Sequence, residues 1–163
     1  MHHLRTTFRA GIIAATFVGL AATPAMAHVS NDNTEVAAGS FTSITLTVPH
    51  GCDDAPTRAI AVQIPDGVLG VTPQVHPGWT VSTETEQLDA PVDLGDGESV
   101  TERTSVVTFT AQAGNELPDG FREQFTLGYR APDSPGEYLF FKTIQTCAGG
   151  VETAWIEEYT GEG

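Results

Sequence analysis

His28 is the residue in this sequence whose placement offers the most chemistry. It follows Ala25-Met26-Ala27, a small-x-small cleavage pattern. Cut there, the chain begins at His28, which then carries a free α-amine beside its own imidazole. The amine nitrogen and Nδ1 of one histidine close a six-membered chelate ring on a single metal ion. Nitrogen donors of that kind favour Cu(II) among the common divalent ions, following the Irving–Williams order. Glu35 stands seven residues later, and its carboxylate could complete the coordination and cancel charge. On its own this is a weak signal, because cleavage always leaves some residue first. A solvated His28 with no ligand is the plainer account.

The sulfur inventory narrows the metal. Both methionines, Met1 and Met26, lie ahead of the cleavage point, and only two cysteines exist, Cys52 and Cys147. An even pair in an oxidising compartment reads as one disulfide. A pair of thiolate ligands is the competing reading. It lacks a CxxC spacing, but His50, two residues before Cys52, keeps it open. If the cysteines are bonded to each other, no soft sulfur remains, and copper held here would be Cu(II) on nitrogen and oxygen. Trp155 sits among Glu152, Glu157 and Glu158 on a Thr/Trp/Tyr strand face that is not obviously core. No G-x-S-x-G elbow, HExxH, P-loop or G-x-G-x-x-G occurs. Paired carboxylates prove nothing in so acidic a chain.

Residues 1–27 have the three zones of a signal peptide. Arg5 and Arg9 come first, an apolar run follows over 11–22, and the cleavage site closes it. That run is about a dozen residues, against the roughly 20 needed to span a bilayer. The protein is therefore expected to be exported, as a periplasmic, cell-surface or secreted molecule. The whole chain carries a net charge of −14 from seven basic and 21 acidic residues. Cleavage removes two arginines and no acid, leaving five basic residues against 21 acidic ones, a net of −16. Such a surface repels phosphate backbones, so nucleic acid is not an expected partner. Its plain use is solubility.

The elements that must position these groups are strands. Ile44, Leu46 and Val48 alternate with threonines, and Ile60, Val62 and Ile64 alternate until Pro65-Asp66-Gly67. Val107 and Phe109 share a face, as do Phe125, Leu127 and Tyr129. Phe140, Lys142 and Ile144 suggest a further strand. Val151, Thr153, Trp155, Glu157 and Tyr159 suggest one face of the last, with Glu157 and Glu158 pointing to opposite sides. Trp79 and Val81 lead into a Thr/Glu-rich strand, and the polar stretch 89–101 reads as an exposed loop or hairpin end. Period-two alternation, with turns every 8–12 residues or so, predicts an all-β chain forming a single β-sandwich over 28–163. A closed barrel is the alternative.

Taken together, several runs resemble the YcnI family of exported copper-binding proteins. They are His28-Val29 after the cleavage site, Glu35 with Gly39-Ser40, and Thr47-Val48-Pro49-His50-Gly51-Cys52. Further on come Val62-Gln63-Ile64-Pro65-Asp66-Gly67-Val68, Pro77-Gly78-Trp79, Gln145-Thr146-Cys147 and the late Trp155. The resemblance implies an Ig- or cupredoxin-like sandwich with one Cu(II) in a monohistidine brace. His28 would give amine and imidazole, Glu35 a carboxylate, and Trp155 would lie over the metal. It also implies a chaperone or sensor in copper homeostasis rather than an enzyme. The partners would be the copper ion and a membrane copper transporter or another copper-handling envelope protein. Many members end in a linker and a membrane anchor, and no such segment occurs up to Gly163. Two rivals stand. A copper oxygenase would need a second histidine, for which only His50 and His76 are candidates, and a secreted interaction domain would use no metal.

Overall fold

The computed structural model describes residues 29–32, 34–94 and 97–158. Among these described residues nine strands follow in chain order: β1 (Ser30–Asn31), β2 (Phe41–Val48), β3 (Thr57–Gln63), β4 (Leu69–Pro73), β5 (Trp79–Asp93), β6 (Ser99–Ala111), β7 (Glu123–Arg130), β8 (Thr143–Cys147) and β9 (Glu152–Trp155). They form two antiparallel sheets, ordered β1-β2-β7-β4 and β5-β6-β3-β8-β9. Neither sheet closes on itself, so the arrangement is a sandwich and not the alternative barrel.

The alternating runs become the two inner faces. Ile44, Leu46 and Val48 of β2, with Phe125, Leu127 and Tyr129 of β7, meet Ile60 and Val62 of β3 and Val107 and Phe109 of β6. Phe125 lies at the centre, 4.9 Å from the ring centroids of both Trp79 and Phe109. Burying each such large apolar side chain is worth about 1.5–3 kcal/mol, so this face sets the register of every strand that contributes to it. Of the stretch read as an exposed loop or hairpin end, residues 89–93 and 99–101 belong to the long strands β5 and β6, which pair as a hairpin through Val92–Val100 and Asp93–Ser99. The root of that hairpin is pinned by Arg103, which is buried and donates to Glu86, Asp66 and the carbonyls of Ile64 and Pro65 at 2.6–3.2 Å.

Three expectations for the chain's second half are corrected. Residues 140–142 are not strand, and β8 begins only at Thr143. Its inward face is Thr143, Gln145 and Cys147, all at most 1% exposed, while Ile144 is turned half outward. β9 stops at Trp155, so Glu157 and Glu158 lie beyond it and are not strand neighbours; Tyr159 is outside the described residues. The short β4 and β1 carry too little alternation to be read from sequence.

Cys52 and Cys147 are bridged, with their Cα atoms 6.0 Å apart. The bond ties the end of β8 to a tight turn in which Cys52 and Ala55 exchange backbone hydrogen bonds of 2.9 and 2.8 Å. Asp53 and Asp54 both take positive φ at the turn's centre, a conformation that aspartate tolerates better than most residues. Gly51 is required just before it, because a Cβ there would collide with the Ala55 carbonyl oxygen.

Candidate metal centre

The seam between the two sheets opens where β1, the edge of one, approaches β9, the edge of the other. A cavity of about 350 Å³ lies there. Val29, Ser30 and Asn31 line it from one sheet; Thr143, Ala154 and Trp155 line it from the other. The segment 139–142 and Glu157 close its sides. Trp155 is half-buried, and its indole N–H donates to Gln145 Oε1 at 3.2 Å. Lys142, on the wall, pairs with Glu158 at 2.6 Å.

A second, wider cavity of about 730 Å³ adjoins it. Asn31, Leu139, Phe140 and Phe141 are common to both. Glu35 lines this second cavity from the loop between β1 and β2. It is exposed, with no hydrogen bond or ion pair among the described residues. Tyr129 lines the cavity floor, and burial pushes its phenol above the usual range. Glu35 and Trp155 therefore occupy adjoining cavities with shared walls, not one cavity.

His28 lies outside the described residues, so its ring and amine have no geometry to report. Its chain neighbour Val29 is described and lines the Trp155 cavity. Among the described residues no three His, Cys, Asp or Glu side chains converge into a group that could hold a metal.

The rival ligands are accounted for otherwise. Disulfide bonding removes the Cys52 and Cys147 thiolates and with them the reading that joined Cys52 to His50. The His50 ring contacts the Gly51 carbonyl, and its own carbonyl accepts from Gln145. His76 packs against Phe125 at 4.9 Å and Trp79 at 5.8 Å, with Nε2 3.3 Å from Glu123. Neither histidine lines either cavity.

Strand β1 is held by a side chain as well as its ladder. Asp32 Oδ1 accepts from the Thr45 backbone N–H at 2.7 Å, extending the pairing by one residue. That hydrogen bond, above all, holds the Asp32 carboxyl below its ordinary value near 3.8. A depressed carboxyl stabilises the fold above the unfolded pKa and loses that contribution as pH falls through the folded one. Protection of the Thr45 amide from hydrogen exchange is thus expected to fall several-fold in Asp32→Ala at neutral pH. In the wild type the same loss should appear only below pH 4 or so. An unchanged Thr45 amide in the variant would show that the ladder alone holds β1.

Sequence reasoning missed Asn31, Gln145 and the Phe140–Phe141 wall. Gln145 stood in the Gln-Thr-Cys run, but the apolar alternation of residues 140–144 pointed to the wrong face of β8.

A two-sheet sandwich with a cleft at the open seam between its edge strands is the class that fold and geometry define. The family described as Domain of unknown function (DUF1775) matches residues 28–163, and the chain belongs to it, as the resemblance to YcnI proteins implied. It is 33% identical over 124 residues to the copper-binding protein CutI of Bacillus subtilis (strain 168), a match covering 73% of this chain and 53% of CutI. The chain thus spans about half the length of that curated relative. A solved structure of an uncharacterized protein from Nocardia farcinica, described as an immunoglobulin-like fold, superposes with a TM-score of 0.62 at 25% identity. It covers 83% of this chain and 88% of the other. The Ig-like sandwich expected from sequence is borne out. Among the described residues no helix is long and apolar enough to cross a membrane.

Proposed function

We propose that this protein binds one Cu(II) at the seam, in a brace formed by the amine and imidazole of His28, with Glu35 as carboxylate donor and Trp155 beside the ion. Export and cleavage after Ala27 create the site. The observation that carries the reading is the cavity itself, where Val29, the residue that follows His28, shares a wall with Trp155. Asn31 and the 139–141 segment join that cavity to the one holding Glu35, whose carboxylate has no other partner among the described residues. The relation to a protein named for copper binding supports the choice of metal. With no methionine after Met26 and both cysteines bonded, nitrogen and oxygen donors make it Cu(II).

Copper is here cargo, and the protein is a chaperone or sensor outside the cytoplasm that exchanges the ion with a membrane transporter or another copper-handling envelope protein. The oxygenase reading needs a second histidine at the metal, and the positions of His50 and His76 away from both cavities weigh against it.

Titration of processed protein with Cu(II), followed by tryptophan emission, tests this. A d⁹ ion close to an indole offers a quenching route, so copper should quench the signal. Trp155→Phe should remove most of that response. Trp79→Phe should not, because Trp79 is packed in the core against Phe125. The reverse pattern would move the metal to the turn at His76 and overturn the assignment.

A further inference from the structure

Gln145 is the one amide on the inner face of β8, and it is only 1% exposed. Its Oε1 accepts from the Trp155 indole N–H at 3.2 Å. Its Nε2 donates to the His50 carbonyl at 2.8 Å and to Thr57 Oγ1 at 2.7 Å. The amide can point only one way. An indole N–H cannot accept and a backbone carbonyl cannot donate, so oxygen must face Trp155 and nitrogen must face His50. Thr57, itself fully buried, then has its hydroxyl hydrogen free for Cys147 Sγ, 3.8 Å away. On the other half of the disulfide, Thr153, on the same strand as Trp155, donates to Cys52 Sγ at 3.6 Å.

We infer that Gln145 is a positioning residue that fixes the Trp155 indole at the wall of the seam cavity and joins it to the disulfide-bonded turn. Trp155 ends an edge strand and is half-buried, and a fully buried acceptor at a fixed place gives its indole N–H one direction to point. The same amide donates to a loop carbonyl and to the oxygen of a buried hydroxyl, which an apolar residue could not do, and this explains a glutamine where the sandwich otherwise wants an aliphatic side chain. This inference rests on the proposed function only in taking Trp155 to face the copper.

Gln145→Met keeps the length of the side chain and removes both hydrogen-bonding functions. In metal-free protein, acrylamide should quench Trp155 more strongly in this variant than in the wild type, and its near-ultraviolet circular dichroism should weaken. Cu(II) affinity should fall about tenfold. In a Trp155→Phe background the same Gln145→Met change should leave affinity within about twofold, since the indole through which it acts is gone. An equal loss in both backgrounds would make Gln145 a merely structural residue and overturn the inference, as would an unaltered Trp155 signal. Should Gln145→Met fail to fold, the wild type still decides: a Trp155 indole N–H exchanging as fast as an exposed indole would refute the bond. A wild-type protein that binds no copper would defeat the proposed function, while the metal-free measurements would still judge Gln145.

Discussion

A chain beginning at His28 is expected to bind one Cu(II) tightly near neutral pH, and the same chain with one residue added ahead of His28 should bind at least a hundredfold more weakly. Two orders of magnitude is about 2.8 kcal/mol, a modest demand for removal of one of two chelating nitrogens. The chelate needs a neutral α-amine, whose unperturbed pKa is about 7.7–8.0, and a neutral imidazole, about 6.5. In the extended chain the same nitrogen is an amide, which holds its proton far more firmly and is a poor donor. Acidification should release the metal as both nitrogens take up protons. His28→Ala should abolish binding. Glu35→Gln should weaken it less than either change, because the exposed carboxylate, which lines the adjoining cavity, would supply only one donor. His50→Ala and His76→Ala should leave affinity nearly unchanged. Isothermal titration of the processed and extended forms side by side decides the matter. The brace is falsified if the extended form binds as tightly as the processed one.

The strands most legible in the sequence are those whose inner faces are purely aliphatic or aromatic. Ile44-Leu46-Val48, Ile60-Val62 and Phe125-Leu127-Tyr129 announce both their period and their facing, because a one-residue slip would expose the whole set. β8 breaks that logic. Its inner residues, Thr143, Gln145 and Cys147, are polar or bonded, because there the sandwich interior holds a hydrogen-bonded network and a disulfide instead of oil. The aromatic residues just ahead of it mislead for a related reason. Phe140 and Phe141 line the two cavities from an irregular segment, so their burial carries no strand period.

For the candidate site the sequence offers residue types and not places. A histidine after a cleavage pattern, a nearby carboxylate and an isolated tryptophan can be picked out by residue type. Whether they come together cannot, because that depends on which edge strands meet at the seam. β1 is two residues long and is recognisable only once paired with β2, through the register Ser30 to Thr47 and Asn31 to Leu46. Asn31, common to both cavities, has no sequence signal at all.

Removing the disulfide should cost this domain a large share of its stability. Cys52 and Cys147 are 95 residues apart, and in the chain-entropy model a bridge closing such a loop stabilises by about 4–5 kcal/mol. Domains of this size are stable by only about 5–15 kcal/mol in total. At about 2–5 °C per kcal/mol for a domain of this length, the Cys52→Ala/Cys147→Ala variant should melt roughly 10–20 °C below the wild type. The loss should not be spread evenly. Cys147 closes β8 and precedes the turn into β9, while Cys52 holds the loop whose His50 carbonyl accepts from Gln145. Freeing that loop loosens the partner of the amide that holds Trp155. Hydrogen exchange should therefore rise most in β9 and in residues 50–56, with the β2–β7 pair, anchored by the aliphatic core, least affected. Thermal unfolding with exchange read residue by residue checks both parts. A melting point within about 3 °C of the wild type would show that native packing, not the covalent link, holds the two segments together.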